Sequence, residues 1–132
     1  MTTFVIDAPL AVDLAARAVP IPAAHSLVAP TLLRSQALNL VYQAVRRGET
    51  DESTGRTILD GIRGLHIRLL GDRVLQAHAW RIAAELDWPD THQAEYIALT
   101  RLQADALATA DEQLAAAARR FVETATPADI LP

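Results

Sequence analysis

The stretch Thr3-Phe4-Val5-Ile6-Asp7-Ala8-Pro9 decides the fold. Its apolar residues run without alternation, the pattern of a strand buried on both faces. An aspartate follows at once, and Pro9 then stands where a helix can begin, because proline is tolerated in a first turn. A second passage of the same kind, Ala106-Leu107-Ala108-Thr109-Ala110-Asp111, again ends on an aspartate before a helical segment. A carboxylate at the end of a buried strand is costly to desolvate unless something uses it. In an α/β fold that position is the carboxyl edge of the sheet, where ligand crevices form. Asp7 and Asp111 therefore point to one acidic site, and paired carboxylates commonly serve a divalent cation. The competing reading is local: either aspartate could simply cap the helix that follows it.

Between these two passages the chain reads mostly as helix. Pro9 to Arg17 is predicted helical, and Val19-Pro20-Ile21-Pro22 breaks it. Ala29-Pro30-Thr31 is read as the opening of a long helix to about Arg47, with Leu33, Ala37, Leu40, Val41 and Ala44 on one face and Gly48 closing it. Thr50-Asp51-Glu52 starts another helix, to about Ile62, with acids in the first turn where the helix dipole favours them. Leu65 to Leu69 alternates like a strand, and Asp72 caps a helix through Leu86. Trp88-Pro89-Asp90 turns into a helix from Thr91 to about Gln103. After the Ala106–Ala110 strand come a short helix, Glu112 to Arg120, and a last strand at Phe121-Val122. Short apolar strands outnumbered by helices predict an α/β domain of three layers, α/β/α, with a small and mainly parallel sheet. A length of 132 residues fits one domain, 1–132, with a real core.

Composition narrows the function classes. The chain has no Cys, which excludes a disulfide framework, a zinc ribbon and a thiol nucleophile. No apolar run approaches the ~20 residues of a membrane span, and no basic stretch with an apolar core marks a signal peptide. A cytoplasmic protein with no membrane partner is the expectation. All 12 basic residues are Arg. From Arg34 to Arg81 there are 8 Arg against 5 acids, whereas the rest of the chain has 4 Arg against 11 acids. Arg suits bidentate contact with phosphate, although an Ala- and Arg-rich composition also follows from a GC-rich genome.

Five segments, in order, resemble the PIN domain, in particular the ribonuclease toxins of the VapBC toxin–antitoxin type. Phe4-Val5-Ile6-Asp7-Ala8 is similar to the opening strand with the family's first acid. Ala29-Pro30-Thr31-Leu32-Leu33-Arg34-Ser35-Gln36-Ala37-Leu38-Asn39 is similar to the helix that normally carries a Glu, with Gln36 in its place. Val45-Arg46-Arg47-Gly48-Glu49 resembles the basic helix end that follows. His92-Gln93-Ala94-Glu95-Tyr96-Ile97-Ala98-Leu99 is similar to the segment with the third acid, here Gln93. Thr109-Ala110-Asp111 matches the Thr-x-Asp motif with the fourth. The resemblance covers nearly the whole chain. It implies metal-dependent endoribonuclease chemistry, with Mg²⁺ or Mn²⁺ held by Asp7 and Asp111. It also implies RNA as substrate, a small antitoxin as partner, and a homodimer.

Two of the four family acids are glutamines in this chain. An amide oxygen can ligate a hard cation, but it carries no charge and takes no proton, and loss of a general base costs roughly 10²–10⁴-fold in rate. Asp90 and Glu112 are the acids nearest to compensate, while Glu95 faces another side of its helix. Structural alternatives are a capping box formed by Asp90 and Gln93 and a hydrogen-bonded core amide at Gln36. His92 is the one histidine beside the site. Trp80 and Trp88 read as packing or interface residues, and Arg46, Arg47 and Arg56 as solvated helix ends or an RNA-facing edge. Three functions compete: an endoribonuclease of reduced activity, a non-catalytic module that binds RNA or an antitoxin as decoy or regulator, and a dimerising scaffold.

Overall fold

A computed structural model describes all 132 residues. Its elements, in chain order, are β1 (Thr2–Ile6), α1 (Ala8–Arg17), β2 (His25–Pro30), α2 (Leu32–Arg46), α3 (Glu52–Gly64), β3 (Arg68–Leu70), α4 (Arg73–Glu85), α5 (His92–Gln103), β4 (Ala106–Ala108), α6 (Glu112–Ala118), β5 (Thr124–Ala125) and α7 (Pro127–Ile130). The five strands form one parallel sheet in the order β3-β2-β1-β4-β5. Helices flank it in the predicted three-layer α/β/α arrangement. Helices α1, α2 and α3 pack on one another, and α5 packs across β1, β2 and β4 with α4 behind it.

The apolar triplet Phe4, Val5 and Ile6 lies at the centre of the core, with Val5 and Ile6 fully buried. No helix is long and apolar enough to cross a membrane. Gly48, at φ +74°, ends α2 as its sequence position indicates. Gly61 lets α3 approach α1, since a Cβ there would lie 3.2 Å from the Ala15 methyl.

Four elements differ from the sequence reading, each for a local reason. His25–Pro30 is a strand between β1 and β3, where Ala29-Pro30 reads as a helix start; a residue before proline is driven to extended backbone, and Ala29 obeys that rule. β3 begins at Arg68 because α3 continues to Gly64 and His66 turns the chain at φ +54°. Phe121 and Val122 are not a strand: both their N–H groups donate back to the Ala118 carbonyl, at 2.8 and 2.9 Å, and pairing starts at Leu107 with Thr124. The terminal α7 is an addition, formed by a capping box between Thr126 and Asp129 and anchored by fully buried Ile130.

Candidate functional site

The strand order places a switch point at β1. From β1 the chain moves outward through β2 and β3 on one side, then returns to β4 and β5 on the other. Crevices in open parallel sheets form outside the carboxyl ends of the strands at such a point. Ile6 pairs with Ala108, so Asp7 and Thr109 leave the sheet side by side.

A cavity of about 280 Å³ opens there, and Asp7, Gln36, Asn39, Gln93, Tyr96 and Asp111 are among its walls. All four residues singled out from sequence thus share one cavity, although they come from the β1–α1 junction, α2, α5 and the β4–α6 turn. Three larger cavities exist, one of them, about 400 Å³, lined by Asp72, Leu75, Leu99 and Leu102. One of about 640 Å³ lies by the Val19–Pro22 loop and the amino ends of β1 and β2, and one of about 570 Å³ lies between α2, α3 and β3. Neither of these two is lined by a carboxylate, and Asp72 of the third stands alone and caps α4, so paired carboxylates favour the cavity at the switch point.

Asp7 is only 7% exposed. Its Oδ1 accepts the Leu10 N–H at 3.1 Å, capping α1, and its Oδ2 accepts the Thr109 hydroxyl at 2.5 Å. The same hydroxyl accepts the Asp111 N–H at 3.0 Å. Asp111 Oδ1 in turn accepts the N–H groups of Gln113 (2.9 Å) and Leu114 (3.1 Å), capping α6. Both aspartates therefore cap helices and face the cavity at once, so the two sequence readings are not exclusive. Burial raises the Asp7 pKa above the usual aspartate value, against the opposing hydrogen bonds from Thr109 and Leu10; the charge of Asp111 adds to the rise.

The glutamine side of the cavity is built differently. Tyr96, 2% exposed, donates its hydroxyl to Gln36 Oε1 at 2.5 Å. Burial pushes its pKa above the tyrosine range, helped by the charges of Asp7 and Glu95, so the phenol keeps its proton.

No other acid completes the set. Asp90 Oδ1 accepts the His92 N–H at 3.1 Å at the start of α5, whose N-cap is Thr91, so the capping box with Gln93 does not form. Glu95 is half-buried with a pKa raised by desolvation, offset in part by His92, and it does not line the cavity. Glu112 and His92 are exposed and outside it as well. Arg47 and Arg56 pair with Glu49 (2.7 Å) and Glu52 (3.0 Å) at exposed helix ends.

For a Mg²⁺ or Mn²⁺ ion the cavity offers two carboxylates, Asp7 and Asp111. No group of three or more His, Cys, Asp or Glu is arranged to hold a metal ion. Both Asp7 oxygens, one Asp111 oxygen and the Gln36 oxygen already accept protein donors. The sequence reading overlooked Tyr96 and Asn39 as cavity residues. A signal was available: each follows a candidate glutamine by three positions, which puts it on the same helix face.

No protein-family model matches this chain, and no curated protein matches its sequence.

Proposed function

We propose that the chain is a PIN-like domain, related to VapC-type ribonuclease toxins, in which metal-dependent RNA hydrolysis is reduced or lost. One observation carries this reading: four side chains from four distant segments converge on one cavity at the sheet's switch point, and only two of them are acids. Asp7 and Asp111 supply negative charge where a cation would have to sit. Gln36 and Gln93 supply polarity without charge, and neither can take a proton from an attacking water. A divalent ion, when bound, would activate water and neutralise the phosphoryl group; the two aspartates are the residues left to attract one. The cytoplasm is the compartment this reading implies.

The test is calorimetric titration with Mn²⁺ at neutral pH, on the wild type and on Asp7→Asn. Weak or absent heat supports the reading. Tight binding that disappears in the variant, followed by Mn²⁺-dependent cleavage of RNA, would establish a working nuclease instead.

A second reading, a non-catalytic module that binds RNA or a small antitoxin as a decoy or regulator, draws on a separate observation. The cavity between α2 and α3 is walled by Leu33, Ala37, Leu59 and Ile62, Leu38 beside it is 56% exposed, and Arg34 lies at its edge. An apolar surface of that kind with a polar rim favours partner binding. RNA or partner retention without hydrolysis is the outcome that would select this reading.

A further inference from the structure

We infer that Tyr96 is a positioning residue that turns the Gln36 amide away from cation binding and makes the α2 wall of the cavity a hydrogen-bond donor. This rests on the reading of the cavity as a former cation site. The Tyr96 hydroxyl is buried and has a single partner, Gln36 Oε1. A buried O–H group is satisfied only by donating, and no other acceptor takes this one. The donation fixes which end of the amide is which: the oxygen lies on the phenol, and the Nε2 group is left on the other side of the trigonal carbon. With no second acceptor for its proton among the side chains and backbone around it, the phenol donates here, and an amide turned the other way would set two donors against each other.

The consequence is specific to this chain. A glutamine oxygen is an acceptable ligand for a hard cation, so replacing an acid by Gln need not by itself close a metal position. Here the oxygen is already engaged from inside the core, and a cation would have to displace a good hydrogen bond to reach it. Asn39 stands one turn further along α2 on the same wall and brings a second uncharged amide. The helix side of the cavity is thereby set against divalent ions, while the sheet side still carries the two aspartates.

Titration with MnCl₂ on the wild type, Tyr96→Phe and Gln36→Glu tests this. Tyr96→Phe removes one oxygen, frees the Gln36 oxygen to turn inward, and is expected to bind Mn²⁺ about threefold to tenfold tighter than the wild type, the scale of one released hydrogen bond. A residue that only packs would lower the melting temperature and leave Mn²⁺ affinity unmoved. If Gln36→Glu gains affinity and Tyr96→Phe does not, the role given to Tyr96 is overturned while the reading of the cavity stands. If Gln36→Glu gains nothing either, the cation reading itself fails and takes this inference with it. A second measurement uses the unaltered protein: the Gln36 side-chain amide resonances should not shift in millimolar Mg²⁺, and a shift would show its oxygen free to ligate.

Discussion

The hydroxyl of Thr109 joins the two aspartates of the cavity: it donates to Asp7 Oδ2 at 2.5 Å and accepts the Asp111 N–H at 3.0 Å. One buried side chain, 5% exposed, therefore ties the end of β1 to the turn after β4 across 102 residues of sequence. Thr109→Val keeps the shape and deletes the hydroxyl, leaving a buried carboxylate oxygen and a backbone N–H without their partner. The expected loss is about 2–3 kcal/mol, read as a lower urea midpoint with unchanged slope. Thr109→Ser, which keeps the hydroxyl, should recover most of it.

Asp7 makes stability fall as pH rises. Its folded pKa lies above the ordinary 3.8, first because burial disfavours the charge and then because Asp111 repels it, so the folded state binds the proton more tightly than the unfolded state. The cost is absent below the unfolded value, grows as pH climbs towards the folded one, and is complete above it. Asp7→Asn keeps an oxygen for the Leu10 N–H and removes the charge. It also puts an NH2 group where the Thr109 hydroxyl now finds an acceptor, a loss present at every pH, so the variant's stability relative to the wild type should improve from pH 3.5 to pH 7, in urea melts across the range. A difference from the wild type that does not change with pH would show that the Asp7 charge is not what costs stability.

Asp111 has two separable roles. Asp111→Ala removes the α6 cap and should cost about 1 kcal/mol, whereas Asp111→Asn keeps an acceptor for Gln113 and Leu114 and should cost much less. Any residual Mn²⁺ binding should fall equally in both variants, because it depends on the charge.

Placing acids at both glutamines, Gln36→Glu with Gln93→Asp, should raise Mn²⁺ affinity by on the order of 100-fold, since ligand charge sets the affinity of hard-cation sites. Without metal the same variant should be less stable than the wild type at neutral pH, because four carboxylates would repel one another in one cavity. Added Mn²⁺ should reverse that loss by mass action, and thermal melts with and without the ion measure it.

Ile130 anchors the last helix, and its carbonyl contacts His25 Nδ1 at 2.7 Å. Ile130→Ala should cost about 2–4 kcal/mol as a buried large-to-small change, measured by chemical unfolding.

Much of this protein was legible from residue order alone. Phe4-Val5-Ile6 and Ala106-Leu107-Ala108 announced buried strands, because unbroken apolar runs suit only positions covered on both faces. Asp51 and Asp72 announced helix starts, and both do accept the N–H three residues on. Local chemistry sufficed there, since a cap and its helix are neighbours in the chain. It failed where the deciding partner was distant. His25–Pro30 became a strand by pairing with β1 and β3, and Phe121-Val122 lost a strand to the Ala118 carbonyl. The site divides in the same way. Residue type fixed which of the candidate positions carry charge, Asp7 and Asp111, and which do not, Gln36 and Gln93. Only the tertiary structure decided that these four share one cavity, that Thr109 links its aspartates and that Tyr96 occupies the Gln36 oxygen, because hydrogen bonds spanning 60 to 102 residues are set by how sheet and helices stack and not by any local pattern.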